Sequence, residues 1–195
     1  MMADNKTKLR VAVAGLGAIG TDVVKALDRG IEGLTLVAVS ANSPDKHRGW
    51  IAELKSAPKL VPIAELADVA DIVVECAPSR VVRSIVAPVV ERGKTAVVLS
   101  VGALLQNGDL VDLANAHGGQ IIVPTGALIG LDAVTAAAIG TIHSVKLVTR
   151  KPVAGLLGAP HLVENDIRIE GITAPLRIFE GSARDAAKGF PANLN

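Results

Sequence analysis

Between residues 10 and 124 the chain alternates short apolar runs with stretches whose apolar residues recur at helical spacing. A short apolar run between turn residues is typical of a buried strand, whereas a 3.6-residue repeat is typical of an amphipathic helix. Strands that alternate with helices indicate a parallel sheet, because each helix supplies the crossover between two parallel strands. The predicted fold class is therefore α/β, with a doubly wound parallel sheet. The predicted strands are 10–14, 34–40, 71–76, 95–99 and 120–123.

Helices are predicted between these strands. The first covers 18–29 and carries one apolar face. Another begins at Ser79, a residue type that favours the N-cap position, and ends at Gly93. The residues of the first apolar face are Ile19, Val23, Val24 and Leu27. The other predicted elements are helices 47–56 and 109–117 and an extended piece around Leu60.

The character of the sequence changes after Pro124, where we place a domain boundary. The first domain is 1–124, and the second, 125–195, is expected to be α/β as well. About 70 residues are few for an independent core, and no stop signal follows the last predicted helix. Its predicted elements are helix 127–140, strands 144–149, 167–169 and 176–180, and a final helix capped by Ser182.

Composition excludes several classes of function. The net charge is +1, which provides no basic surface for nucleic acid or for an acidic membrane. Aromatic residues make up 2% of the chain, too few for stacking on single-stranded nucleic acid. The one cysteine, Cys76, excludes an internal disulfide, and no two histidines have metal-ligand spacing, so no metal site is expected. No apolar run approaches the ~18 residues of a membrane span, and a cytoplasmic location is expected.

A glycine-rich turn follows the first predicted strand directly and opens the first helix. The sequence Gly-Leu-Gly-Ala-Ile-Gly matches the dinucleotide-binding pattern G-x-G-x-x-G in the strand–turn–helix context that the pattern requires. Gly15 permits the tight turn, Gly17 lets a pyrophosphate approach the backbone, and Gly20 lets the helix pack on the strand. This turn makes the sheet Rossmann-type. The predicted pyrophosphate-binding residues are Gly15, Gly17, Ala18, Ile19 and Gly20.

The end of the second predicted strand bears on the choice between NAD and NADP. A site for NAD usually has a carboxylate there to bind the ribose, but this strand ends in Ser40 and is followed by Asn42. The basic run 46–48 comes shortly after and could pair with a 2′-phosphate. It could equally be a solvated loop. The missing carboxylate therefore favours NADP, or both cofactors, over strict NAD. Ser40 and Asn42 are assigned to this cofactor, NAD or NADP.

The third strand ends in Cys76 and Ala77, and a similar small-residue rim, 100–103, follows the next strand. Ligands of open α/β sheets lie at the carboxyl ends of the strands, so Cys76 and Ala77 are expected to lie against the nicotinamide half of the cofactor. Cys76 is expected to be a packed side chain and not a nucleophile, because no neighbouring group would lower its pKa.

Several separated motifs occur in order along the chain. They are 15–20, 74–77, 100–104, 124–127, 131–133, 150–152 and 181–195. The last is the most specific, since Gly-Ser-Ala-Arg precedes a helix that ends in proline and two spaced asparagines. Together these motifs resemble the L-aspartate dehydrogenase family, NAD(P)-dependent amino-acid dehydrogenases with a Rossmann domain and a second α/β domain for substrate and dimerisation. The resemblance runs from Val11 to Asn195.

The resemblance implies an oxidoreductase of amino-acid metabolism. Its reaction converts L-aspartate, NAD(P)⁺ and water into oxaloacetate, ammonia and NAD(P)H through iminoaspartate, which can supply NAD biosynthesis. It further implies cofactor contacts at Ala127 and Asn195, and a homodimer if the second domain is complete. It also implies that the family continues past Asn195, so the second domain is expected to be incomplete. The family's catalytic histidine would lie in that missing part, so no catalytic residue is assigned within the chain.

Two other functions stay open at this point. One is a dinucleotide-binding fragment or sensor without catalysis, and the other is a homoserine dehydrogenase-like enzyme, against which the motifs 124–127 and 181–195 argue. Within the chain, His161 in a predicted loop could replace the family's acid. Arg150 and Lys151 at a predicted strand end could bind the substrate carboxylates. Each of these three side chains also has an ordinary structural interpretation.

Overall fold

The computed structural model describes residues 8–126 and 130–191. The chain divides into two compact units, Met1–Val123 and Pro124–Asn195. None of the helices in the described ranges is both long and apolar enough to cross a membrane.

Unit 1 contains a six-stranded sheet with the order β3-β2-β1-β4-β5-β6, and every neighbouring pair is parallel. The five predicted strands all form, and the extended piece around Leu60 adds a short edge strand. The strands are β1 (Leu9–Ala14), β2 (Leu34–Ser40), β3 (Lys59–Leu60), β4 (Ile72–Glu75), β5 (Thr95–Val98) and β6 (Gln120–Ile122).

Helices cover both faces of this sheet, which confirms the doubly wound α/β prediction. One face packs against α1 and α2 through a core that includes Val11, Val24 and Ile51. The other packs against α3, α4 and α6 through a core that includes Ala12 and Leu110. The helices of this unit are α1 (Ala18–Arg29), α2 (Arg48–Ala52), α3 (Leu66–Val69), α4 (Val82–Glu91), α5 (Val101–Leu104) and α6 (Asp109–His117).

Two details of the helix predictions are wrong. Ser79 makes no capping hydrogen bond; it starts a 3₁₀ turn that follows Pro78, whose backbone geometry already directs the chain into the turn. Ile19 was predicted to lie on the apolar face of α1, but its side chain is 57% exposed. It lies in the first turn of α1, beyond the end of β1. The apolar face of α1 is therefore shorter than predicted, with Val24 and Leu27 as its buried members.

Unit 2 contains three helices within its described residues: α7 (Leu131–Ala137), α8 (Pro160–Glu164) and α9 (Ala183–Gly189). The predicted cap of the final helix is confirmed, since the Ser182 hydroxyl accepts a hydrogen bond of 3.2 Å from the backbone N–H of Asp185. The small core of this unit consists of Ala159, Leu162, Ile169 and Phe190.

The strands predicted at 144–149, 167–169 and 176–180 are not formed in the described part of unit 2. A strand needs a neighbour that satisfies its backbone N–H and C=O groups, and no described segment of this unit pairs with these three. Val145, Leu147 and Val148 are instead 66–72% exposed. An apolar pattern indicates strand propensity, but it does not show whether another strand is available to pair with the segment.

An ion pair fastens the start of β1 to the start of β4, and it carries a prediction about pH. Asp71 accepts from the Arg10 guanidinium at 2.7 and 3.1 Å and from the Arg10 N–H at 2.9 Å. These bonds lower the pKa of Asp71 from 3.8 to about 2. Because the pKa is depressed in the folded state, the stabilisation is complete above about pH 4 and is lost as the pH falls through about 2.

We therefore expect Asp71→Asn to cost about 1 kcal/mol of unfolding free energy at pH 7, since both partners are partly exposed. The difference between variant and wild type should shrink as the pH falls below about 4 and vanish below about pH 2, as urea unfolding at several pH values would measure. Asp68→Asn is the matched control, because its pair with Arg92 is a single exposed contact and should be worth under about 0.5 kcal/mol. A cost that does not depend on pH would contradict this account of Asp71.

Candidate functional site

The order of the strands reverses at β1, because β2 lies on one side of β1 and β4 on the other. In open α/β sheets, ligands bind at such a switch point, outside the carboxyl ends of the strands. Ala14, the last residue of β1, is in register with Ser40 and with Glu75. The turns that follow β1, β2 and β4 therefore meet at one edge, and these turns contain most of the residues predicted to bind a cofactor.

Gly15 makes the turn after β1 and could not be another residue. Its φ is +99°, and a Cβ there would meet the carbonyl oxygen of Cys76 at 2.5 Å. Its N–H donates to the carbonyl oxygen of Ser40 at 2.8 Å. The turn is thus pinned between the ends of β2 and β4.

Gly20 and Gly17 differ in what a side chain would meet. A Cβ on Gly20 would overlap the carbonyl oxygen of Gly15 and lie 3.2 Å from the Cβ of Cys76. Gly20 is therefore required for α1 to pack against the turn and β4. A Cβ on Gly17 would meet nothing within 4 Å, so protein packing gives no reason for glycine at this position.

The N-terminus of α1 is open. No side chain caps it, no acidic residue lies in its first turn, and the first intrahelical bond runs from Thr21 N–H to Gly17 C=O. Free N–H groups and the helix dipole favour an anion there. Gly17, Ala18 and Ile19 are exposed beside it. This combination of open N–H groups and empty space at Gly17 fits the pyrophosphate of a dinucleotide.

Two residues predicted to bind the cofactor lie at the end of β2, and they differ in exposure. Ser40 is 3% exposed, whereas Asn42 is exposed in the following turn. Arg48 of the predicted basic run donates to the carboxylate of Asp45 at 2.8 Å. The loop that could accept a 2′-phosphate thus also contains an acid that pairs with one of its cations.

Cys76 and Ala77 are half-buried in the turn after β4. Burial, together with the smaller effect of the neighbouring Glu75 charge, raises the pKa of the Cys76 thiol to about 12. A thiol with this pKa stays protonated near neutral pH, which agrees with the prediction that Cys76 is packed and not a nucleophile.

Glu75 is the residue of this edge to which the sequence analysis assigned no role. It is fully buried at the end of β4, and its carboxylate accepts four hydrogen bonds from Ala77, Leu99 and Ser100. The sequence did contain a signal for Glu75, which is a single charged residue at the end of an apolar run. A charge that is buried in such a position must be hydrogen-bonded or paired.

The second unit contains an open groove of about 670 Å³. Two predicted cofactor residues, Ala127 and Asn195, lie outside the described residues. The lining residues of the groove are Thr125, Gly130, Leu131, Asp132, Thr135, Ala136 and Ile139.

His161 was predicted to lie in a loop, but it lies in helix α8. Its Nε2–H donates to the carbonyl oxygen of Ile178 at 3.2 Å, and its Nδ1 lies 3.3 Å from the Asn165 amide. Its ring packs against Phe179 and Phe190. Both ring nitrogens are thus occupied inside unit 2, which argues for a packing role. Within the described ranges, no three potential metal ligands cluster.

Each of the two parts of the chain matches a known protein family. Residues 15–124 match the homoserine dehydrogenase NAD-binding domain, and residues 132–195 match the aspartate dehydrogenase C-terminal domain. The chain is 64% identical to the L-aspartate dehydrogenase of Bradyrhizobium diazoefficiens over 97% of its own length and 67% of the relative's. This chain belongs to the L-aspartate dehydrogenase family.

Other relatives agree with this assignment and confirm the resemblance drawn from the motifs. An L-aspartate dehydrogenase 3 of Bordetella bronchiseptica is 54% identical over 98% of this chain and 71% of the relative. The crystal structure of aspartate dehydrogenase from Thermotoga maritima covers 96% of this chain and 70% of its own, with a TM-score of 0.59 at 19% identity. This likeness supports the shared fold. The aspartate dehydrogenase C-terminal match also separates the chain from a homoserine dehydrogenase-like enzyme.

Proposed function

We propose that the protein is an NAD(P)-dependent L-aspartate dehydrogenase. It would interconvert L-aspartate and oxaloacetate plus ammonia through iminoaspartate. The observation that carries the proposal is the 64% identity, across nearly the whole chain, to an L-aspartate dehydrogenase. The open turn at the switch point is independent support for the cofactor, because its uncapped helix start and the open space at Gly17 would suit a pyrophosphate.

The cofactor is NAD or NADP, and we assign its pyrophosphate to the backbone of Gly15, Gly17 and Gly20 and the first turn of α1. Ser40 and Asn42 would lie near the adenine ribose, and Cys76 and Ala77 near the nicotinamide. When bound, the nicotinamide accepts or returns the hydride, while the protein binds and orients both reactants. The N–H groups at the start of α1 stabilise the pyrophosphate charge without a counter-charge from a side chain.

A dicarboxylate substrate needs cationic partners, and a guanidinium suits a carboxylate best. We propose Arg150 and Lys151 for this role. Both are exposed, and neither forms an ion pair within the ranges that the structure describes. Their positive charge is therefore available to an incoming anion.

The proposal is tested by the oxidation of NADH, and then of NADPH, by the purified chain with oxaloacetate and ammonium. The expected result is a loss of absorbance at about 340 nm that requires both oxaloacetate and ammonium. Oxidation with oxaloacetate alone would indicate reduction of the keto acid, and would contradict an amino-acid dehydrogenase. Binding of NADH without any turnover would instead favour the second candidate, a dinucleotide-binding protein without catalysis. That candidate is supported by the packed state of His161 in unit 2.

We also propose that the protein is a cytoplasmic homodimer that associates through the second unit. Support comes from its exposed apolar side chains, since a large apolar surface marks an interaction site. Ile139 is 92% exposed and Val148 72% exposed. Sedimentation velocity would test the proposal, with about 40 kDa expected for two 20.0-kDa chains. A species of one chain mass at micromolar concentration would contradict it.

A further inference from the structure

One buried carboxylate joins the turns that follow β4 and β5. Oε1 of Glu75 accepts from the N–H of Ala77 at 2.8 Å and from the hydroxyl of Ser100 at 3.0 Å. Oε2 accepts from the N–H of Leu99 at 3.2 Å and from the N–H of Ser100 at 2.9 Å. Glu75 itself is 0% exposed. Each oxygen therefore faces two donors, and the backbone of both turns is fixed to the same group.

Ser100 adds a second link between the same turns. Its hydroxyl lies 3.0 Å from Oε1 of Glu75 and 3.1 Å from the carbonyl oxygen of Ala77. One hydroxyl proton serves one of these two acceptors fully at a time, or both partially. The turn after β5 thus holds the turn after β4 through both a backbone and a side-chain contact.

Stability alone is a poor reason for this arrangement. Taking a carboxylate out of water is costly, and the hydrogen bonds that Glu75 accepts must offset that cost before they can stabilise the fold. The other described residues at the end of β4 and β5 are uncharged and small or apolar. A network that fixes backbone positions at a ligand-binding edge is instead typical of a group that orients a site.

The turn that Glu75 holds lies directly beside the phosphate-binding turn. Glu75 is in register with Ala14, and the Cys76 carbonyl lies against Gly15. In this fold a dinucleotide extends across the switch point, with one half on each side of the pyrophosphate. If the adenine ribose lies at the end of β2, the other half lies over the ends of β4 and β5, where Cys76, Ala77 and Ser100 are.

We propose that Glu75 is a positioning residue for the nicotinamide half of the cofactor. It holds the turns after β4 and β5 so that their backbone forms a fixed surface for the ring, and Ser100 reinforces it. This inference rests on the proposed dinucleotide binding. It predicts that losing the network disturbs the nicotinamide half alone, because the pyrophosphate and adenine ribose lie on other turns.

The test compares NADH with ADP-ribose, which has the adenine and the pyrophosphate but no nicotinamide. In Glu75→Gln, either orientation of the amide puts an NH₂ group against backbone N–H donors. We expect the Kd of NADH, from fluorescence titration, to rise about tenfold. The Kd of ADP-ribose, from calorimetry, should stay within about twofold of wild type. The fluorescence enhancement of bound NADH should also fall, because the ring is held less firmly.

A milder pair of variants keeps the test decisive if Glu75→Gln does not fold. Ser100→Ala removes the hydroxyl link but leaves three backbone bonds to the carboxylate, and should weaken NADH about threefold with ADP-ribose unchanged. Ser100→Thr keeps the hydroxyl and should bind NADH like wild type. Equal weakening of NADH and ADP-ribose, or no change in either, would overturn the positioning role. Failure of the wild-type chain to bind ADP-ribose would instead defeat the proposed dinucleotide function on which it rests.

Discussion

Gly20→Ala is expected to lower the unfolding free energy by about 2–3 kcal/mol. The new methyl group would overlap the carbonyl oxygen of Gly15 and crowd Cys76. Alanine gains up to about 1 kcal/mol of helix propensity over glycine, which offsets only part of the cost. The Gly15 backbone is not free to move, because its N–H is bonded to the carbonyl oxygen of Ser40. Urea unfolding followed by circular dichroism would measure the change.

The same variant should also lose NADH binding, because α1 must shift away from the turn. Gly108→Ala is a control for the substitution itself: Gly108 is the N-cap of α6, is exposed, and has nothing within 4 Å of a Cβ. We expect it to cost less than about 1 kcal/mol. Stability of Gly20→Ala equal to that of the control would contradict the packing role assigned to Gly20.

Gly17→Ala is expected to separate binding from folding. A methyl group at Gly17 meets no protein atom, and its φ of −76° suits alanine. The unfolding free energy should therefore change by less than about 1 kcal/mol. The Kd of NADH should rise at least about 30-fold, because the methyl group occupies the space through which the pyrophosphate reaches the helix N-terminus. Fluorescence titration of NADH would measure this loss.

Gly108→Ala is again the matched control, since both glycines are exposed N-caps with open space around them. It should bind NADH like wild type. ADP-ribose should be weakened by Gly17→Ala as strongly as NADH, because the two ligands share the pyrophosphate. Unchanged NADH affinity in Gly17→Ala would mean that the pyrophosphate does not bind at this turn.

The fold of unit 1 could be predicted because the residues that determine each of its elements lie close together in the sequence. The apolar run at β1, the glycine turn and the apolar face of α1 each specify a structure from a few neighbouring residues. The location of the candidate site could be predicted from the same information, because the carboxyl ends of parallel strands lie at one edge of the sheet. Helix α6 was predicted at its observed bounds, with Gly118 in the left-handed conformation that ends it.

The features that could not be predicted depend on distant partners. Ala77 is only two residues from Glu75 in sequence, but the other partners, Leu99 and Ser100, are 24 and 25 residues away. No periodicity shows that one carboxylate will collect donors from two turns. The strand predicted at 144–149 failed for the related reason that a strand forms only where another strand can pair with it. Cofactor contacts at Ala127 and Asn195 stay predictions, since these residues lie outside the described ranges.

The proposed reaction transfers hydride between C2 of L-aspartate and a nicotinamide bound at the Gly15 turn. Incubating the chain with C2-deuterated L-aspartate and NAD⁺ or NADP⁺ tests this transfer, by mass spectrometry of the reduced cofactor. The expected result is one deuterium in the reduced nicotinamide, and much less reduced cofactor from Gly17→Ala at a cofactor concentration near the wild-type Kd. Unlabelled reduced cofactor, or none at all from a folded chain that binds NADH, would contradict it.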